Sequence, residues 1–325
     1  MKGSHRVIVE TKKVKYDFII RRNITILTGD SGSGKTVLID MIREYRRYGS
    51  DSGIFLSCDC ECRTIDDENW KRQIEETAGS IIFIDEGNRF LPTREFAELV
   101  LKSDNYFVLA VREKLPMLPY SVNEIYGFRK SGKFHEARRT YNEIYHLYGE
   151  ISEQRQISPD IVITEDSNSG YEFFAKLSGR GKIPCISANG KSNVISSLNK
   201  RENKNGLCLI IVDGAAFGSE IRDVSEYLNT DEGVVLYAPE SFEWLLLSTD
   251  AIPNVNVSSI LERPENYIDS CEYASWERYF TALLVNRTQK DPVWAYSKKK
   301  LPAAYYSPKI INEVKALMML VVWEK

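Results

Sequence analysis

The stretch ITILTGDSGSGKT, residues 24–36, leaves this chain fewer choices than any other part of it. Ile24 to Leu27 suit a short buried strand, Gly29 bounds it, and a helical run follows from Lys35 to about Tyr48. A strand that hands through glycines straight into a helix points backbone N–H groups and the positive end of the helix at one spot. Gly29-Asp30-Ser31-Gly32-Ser33-Gly34-Lys35-Thr36 has the spacing G-x-x-x-x-G-K-[ST]. In that context Gly32 and Gly34 let the amides curl around phosphate oxygens. Lys35 reaches the β- and γ-phosphates, and the Thr36 hydroxyl ligates magnesium. ATP with Mg²⁺ is the expected ligand.

The rest of the first half fits such a layer. RVIVETKKVKYDFII (6–20) reads as a hairpin. Strands are expected at 53–57, 80–85, 106–111 and 122–128, with helices between most of them. Short apolar strands alternating with helices predict a mainly parallel sheet covered on both faces. In IIFIDEGNRF (81–90) the apolar run buries a strand and delivers two acids. Asp85 is placed to hold the magnesium shell, and Glu86 to polarise an attacking water. Arg112 ends the YFVLAV strand. Arg89 and Arg94 read as surface salt-bridge residues, or as fingers reaching a neighbouring subunit.

SGKFHEARRTYNEIYHLYGE (131–150) carries Phe134, Ala137, Tyr141, Ile144, Tyr145 and Tyr148 at helical spacing, which predicts a connecting helix. ISEQRQISPD (151–160) is polar and marks the boundary. A second alternation follows, with strands at 161–164, 183–187, 207–212 and 234–238 and helices at 170–177, 191–198, 219–228 and 240–247. Function in open α/β sheets gathers at the C-terminal ends of strands. Glu165 ends the first of these strands with Asp166 beside it, Asp213 ends the third, and Glu240 and Glu243 follow the fourth. Carboxylates converging from three strand ends suit magnesium or manganese and phosphoryl transfer. Beyond Pro253 the pattern turns helical and aromatic, as in 275–285 and 311–323. Tyr305 and Tyr306 have no base placed beside them and read as core.

Composition adds bounds rather than function. The 325 residues, 43% hydrophobic and 27% charged, suffice for two domains. A net charge of −3 gives no global basic field for nucleic acid, and the run Lys298-Lys299-Lys300 reads as a solvated face. No apolar stretch approaches the ~18 residues of a membrane span, and the N-terminus lacks a signal-peptide core. A cytoplasmic protein with no membrane partner is expected. Cys58, Cys60 and Cys62 crowd SCDCECR, but zinc pairs are usually spaced two apart and the histidines are distant in sequence. The segment reads as a strand end with reduced thiols.

Two resemblances rest on these motifs. GDSGSGKT with IIFIDE resembles the additional-strand ATPases of the AAA and ABC-like groups, in which Glu follows the Walker B Asp. LSGRGK (177–182) lies on the wrong side of that strand to be an ABC signature. TEDSNSGYEFF with VDGAAFG resembles the TOPRIM fold of topoisomerases, primases and overcoming-lysogenization-defect nucleases. The resemblance puts Glu165 in the glutamate's place, Asp213 in the first aspartate's, and Glu243 at the fixed acid of the nuclease branch. Ala215 stands where the second aspartate would be.

The order of the two parts resembles the plan of those nucleases and related phage-defence proteins. It implies an α/β chain with a P-loop NTPase domain at 1–130, a connecting helix and linker at 131–157, a TOPRIM-like parallel α/β domain at 158–250, and a helical C-terminal region at 251–325. It implies an ATP-gated, metal-dependent nuclease with Glu86, Lys35, Glu165 and Asp213 in catalytic roles. Thr36, Asp85, Glu165, Asp213 and Glu243 become metal ligands, with Mg²⁺ and, in the second site, Mn²⁺ also. The implied partners are DNA or RNA including transfer RNA, further copies of the chain, and a second protein. Two other readings stay open: an ATPase switch whose TOPRIM-like domain only binds, and a mobile-element ATPase that acts on nucleic acid without cutting.

Overall fold

The computed structural model describes residues 1–29, 34–130, 140–148, 156–201, 206–231 and 233–324. It divides into two compact units, Met1–Gly149 with Arg263–Ser275 and Glu150–Glu262 with Trp276–Lys325. Both are mixed α/β, and no described helix is long and apolar enough to cross a membrane.

The first unit begins with the expected hairpin, β1 (His5–Glu10) and β2 (Val14–Ile20), in antiparallel register with Val7 opposite Phe18. Alternation places Val7, Val9, Tyr16, Phe18 and Ile20 in the core. Then come β3 (Ile24–Leu27), α1 (Lys35–Tyr48), β4 (Phe55–Ser57), β5 (Glu61–Thr64), α2 (Trp70–Glu75), β6 (Ser80–Ile84), α3 (Arg94–Val100), β7 (Tyr106–Ala110), β8 (Ile125–Lys130) and β9 (Thr140–His146). The sheet order is β4-β1-β2-β9-β8-β3-β7-β6-β5. Its run β8-β3-β7-β6-β5 is parallel throughout, and every residue of β3, β6 and β7 is buried, as a sheet covered on both faces requires. Helix α1 buries Leu38, Ile39, Met41 and Ile42, spaced to form one stripe. Segment 263–275 returns to this unit: Ser270 Oγ donates to Ser103 O, and Asn23 Nδ2 to Ala274 O.

The helix expected over 131–150 is not what forms. Residues 131–139, 149 and 150 lie outside the described ones, but 140–146 are β9, antiparallel to β8 with Phe128 opposite Ile144. TYNEIYH is rich in β-branched and aromatic residues, which fit a pleated, half-buried surface. Ile144 and Phe128 pack together on the core, while the Tyr145 ring lies under the Arg129 guanidinium. β5, in ECRT, has no expected counterpart, because only buried Cys62 gives it an apolar contact.

The second unit contains β10 (Ile161–Thr164), α4 (Ser169–Arg180), β11 (Cys185–Ser187), α5 (Val194–Lys200), β12 (Cys208–Ile211), α6 (Ile221–Thr230), β13 (Val234–Tyr237) and α7 (Phe242–Leu247). The four strands are parallel in the order β11-β10-β12-β13. α8 (Ser258–Glu262), α9 (Trp276–Thr288) and α10 (Pro308–Leu317) complete it. The helix expected to reach residue 323 stops at Leu317. The chain then turns so that Val321 bridges Ile157, which buries Trp323.

Candidate functional site

In the first unit, parallel register decides what meets. Leu27 pairs with Ala110 and Leu109 with Ile84, so β3, β7 and β6 end side by side. Within two residues of those ends stand Gly29, Arg112 and the pair Asp85-Glu86. Residues 30–33, with Asp30, Ser31, Gly32 and Ser33, lie outside the described ones. On either side of them Gly29 and Gly34 hold φ of 137° and 108°, the left-handed region where a side chain is strained. Gly34 is the residue before α1, and its carbonyl accepts from Tyr16 Oη at 2.9 Å. Buried Lys35 donates from Nζ to Gly29 O at 2.6 Å, so its ammonium folds back across the loop mouth.

The Thr36 hydroxyl stands 3.4 Å from Asp85 Oδ1. Burial pushes the Asp85 carboxyl above the usual range, although the Glu86 amide donates to it at 2.9 Å. A half-buried carboxylate facing a hydroxyl is a hard-oxygen donor pair, which fits magnesium. Arg112 Nε and Nη2 donate to the two Glu86 oxygens at 2.9 and 2.6 Å, and this pairing holds Glu86 below the usual carboxylate range. Arg94 pairs with Glu98 one turn on, and the Arg89 amide donates to Asp67.

In the second unit the acids converge as the strand ends require. β10 and β12 are neighbours whose chains leave in opposite directions, to β11 and to β13. Glu165 and Asp213 stand at that divergence, where crevices form in parallel sheets. The Asp213 amide donates to Glu165 Oε2 at 3.0 Å, and Asp213 Oδ1 accepts from the Phe242 amide at 3.0 Å. Burial first, then Glu277, raises the Asp213 carboxyl well above its ordinary range. Burial likewise pushes Glu165 up to about 7, with Glu277 adding to it. Glu243, 1% exposed, accepts from Tyr296 Oη at 2.7 Å through Oε1, while its Oε2 is buried without a partner. Asp166 turns away to cap α4, accepting from the Tyr171 amide at 3.0 Å. A cavity of about 20 Å³ opens between Glu165, Asp166, Asp213, Phe174 and Phe242, with room for roughly one water-sized occupant.

Sequence reasoning missed two groups here. Lys298 is no solvated-face lysine: its Nζ lies 2.7 Å from Glu277 Oε1 and 3.8 Å from Glu243 Oε1. Burial works against that charge, yet Glu243, Glu277 and Asp213 hold the ammonium above the ordinary lysine range. Glu277 comes from α9, outside the strand alternation where acids were sought. Glu240 lends its backbone carbonyl to the Ala215 amide at 3.1 Å. Ala215 is buried and supplies no second carboxylate, and Tyr305 is wholly buried with its hydroxyl on Trp294 O.

Five carboxylates (Glu165, Asp166, Asp213, Glu243 and Glu277) surround two ammonium groups, Lys298 and Lys191. The deficit of positive charge and the orphaned Glu243 oxygen fit a hard divalent cation. The carboxylates are spread, however. Among the described residues, trios of donor atoms within 4.8 Å of one another occur at His5, Asp59 and Cys60 and at Asp104, Asp269 and Cys271, and none occurs here. Comparison of the chain with protein-family models and with curated proteins returned no match.

Proposed function

We propose that the chain binds and hydrolyses ATP through its first unit, and that its second unit is a TOPRIM-like, metal-dependent nuclease gated by that ATPase. The observation that carries the first half is β7 standing between β3 and β6, with Lys35, Thr36, Asp85, Glu86 and Arg112 gathered at their shared end. An added strand between the phosphate-loop strand and the acid strand is what gives the additional-strand ATPases their name.

Chemically, Lys35 releases Gly29 O and takes up the β- and γ-phosphates. Thr36 and Asp85 would hold a magnesium ion, which would supply charge neutralisation at the phosphate oxygens. Glu86 leaves Arg112, accepts a proton from water as the water oxygen attacks the γ-phosphorus, and the bond to the β-phosphate oxygen breaks to give ADP and phosphate. Arg112 is then free to face the phosphate. Arg112 acts as a positioning residue.

In the second unit Glu165, Asp213 and Glu243 would hold a divalent cation, which supplies charge neutralisation at a phosphodiester. Lys298, kept charged by Glu243 and Glu277, offsets negative charge on the phosphate oxygens. A second reading, an ATPase switch whose TOPRIM-like domain only binds, is favoured by Ala215 and by Lys298 already lying against the acids. Hydrolysis of labelled ATP by the full chain tests the first half: wild type is expected to turn over, Glu86→Gln to bind ATP without turnover, and Lys35→Ala to do neither. Equal turnover in all three would overturn it. Loss of nucleic-acid cutting in Glu165→Gln and Asp213→Asn, with ATP hydrolysis retained, separates nuclease from binding domain.

A further inference from the structure

The two end strands of the first unit's sheet, β4 and β5, are joined by only three residues, Cys58, Asp59 and Cys60. So short a link reaches about 14 Å at most, and the sheet must curl until its edges nearly meet. The closing point is crowded with donors. In an extended segment, alternate side chains share a face. Along C-D-C-E-C burial alternates through the bend at 59–60, with Cys58 and Cys60 half-buried, Cys62 buried, and Asp59 and Glu61 exposed. The Cys58 and Cys60 sulfurs are 3.5 Å apart, and both pack against the core cluster beside buried Cys62.

The fold also supplies the imidazole that the linear spacing lacks. β1 pairs antiparallel with β4, Ile8 opposite Ser57, and continuing that register puts His5 opposite Cys60. A His5 ring nitrogen, an Asp59 carboxylate oxygen and Cys60 Sγ lie within 4.8 Å of one another. His5 Nε2 is 3.1 Å from the Lys2 carbonyl, which assigns it the ring N–H, and the ring is braced edge-on by Tyr106. That hydrogen bond is the outer support typical of a ligating histidine. It leaves the Nδ1 lone pair facing Asp59 Oδ1 at 2.9 Å, two acceptors that need a proton or a cation between them.

We propose that His5, Asp59 and Cys60, with the Cys58 sulfur 3.5 Å from that of Cys60, bind one divalent cation of the zinc class, closing the curled sheet at the junction of β1, β4 and β5. Ligand sulfurs on tetrahedral zinc stand about 3.8 Å apart, since each Zn–S bond is about 2.3 Å, and the Cys58–Cys60 distance is near that already. Two sulfurs, one nitrogen and one carboxylate oxygen fill four positions, so the site is structural, without an open position for substrate. Binding releases the thiol protons to solvent and changes no oxidation state. The soft donors separate it from the oxygen sites for magnesium, which zinc would not share.

The test uses the full chain, purified with a thiol reductant, stripped with a chelator and titrated with Co²⁺. One equivalent is expected to bind with intense near-ultraviolet thiolate-to-cobalt charge transfer and tetrahedral visible bands, and Zn²⁺ is expected to displace it. Cys60→Ser should weaken binding at least tenfold, and Cys271→Ser should leave it unchanged. The titration of the native chain stands alone should Cys60→Ser fail to fold. Saturating Co²⁺ without thiolate charge transfer would overturn the proposal. So would loss of the signal in Cys271→Ser, or a Cys58–Cys60 disulfide persisting under reductant in the intact mass.

Discussion

Glu86 and Glu165 are both glutamates at strand ends, yet their surroundings send them in opposite directions. Arg112 keeps Glu86 ionised, so Glu86→Gln is expected to cost 10²- to 10⁴-fold in ATP turnover, the usual range for a lost general base, with ATP affinity retained. Burial instead raises Glu165 to about 7 from an unfolded value near 4.5. A raised folded value means stability that is fully present below pH 4.5 and lost as pH climbs through about 7. Glu165→Gln keeps an acceptor for the Asp213 amide and escapes that loss. Its second unit should be the more stable at pH 8, by a few kcal/mol at most, with the gap closing towards pH 4.5. Denaturation at the two pH values measures this, and Mg²⁺ or Mn²⁺ should narrow the pH 8 gap by restoring charge balance in the wild type. At this scale the sequence shows Lys35, Thr36, Asp85, Glu86, Glu165 and Asp213 because each follows a strand or opens a helix. Lys298 and Glu277 stay hidden because nothing local distinguishes a lysine in a lysine run from a solvated one; only the fold sets it against acids.

At the scale of elements, buried parallel strands are legible because their apolar runs are unbroken, and β3, β6, β7, β10 and β12 all appear where expected. β9 is not, because aromatics in 131–150 match helical and strand spacing equally and the choice falls to its partner β8. The loop after β12 shows why DGAA is needed as a unit. The Gly214 amide donates to Pro239 O at 2.6 Å, and an added Cβ would meet Ala238 O at 2.5 Å. Both obstructions are backbone, so Gly214→Ala should push β12 and β13 apart beyond their ends. The expected cost is about 1–3 kcal/mol, read by chemical denaturation. Its nuclease activity should fall while ATP hydrolysis persists. In the first unit, Arg112→Ala should leave β7 intact, since the side chain is half exposed, and return the Glu86 carboxyl towards its ordinary range. The acid limb of the ATPase pH profile should then move to higher pH.

For the whole molecule, the order β11-β10-β12-β13 puts Glu165 and Asp213 where parallel strands diverge, and the order β8-β3-β7-β6-β5 sets Asp85 and Glu86 at the end of β6, one strand beyond β7 from β3. That much follows from alternation and from the rule that crevices form at carboxyl ends. What could not follow is the return of 263–275 to the first unit. Its ties are the Met1 amine to Asp104 and Asp269 and Asn23 to Ala274, pairings between residues more than a hundred positions apart. The central claim joins the two sites: hydrolysis at one licenses cutting at the other. It is tested most directly by incubating the full chain with labelled DNA and transfer RNA, with Mg²⁺ or Mn²⁺, with and without ATP. Cleavage is expected only with both metal and ATP, and only when Lys35, Glu165 and Asp213 are all intact. Cleavage indifferent to ATP, or none under any combination, would contradict the account.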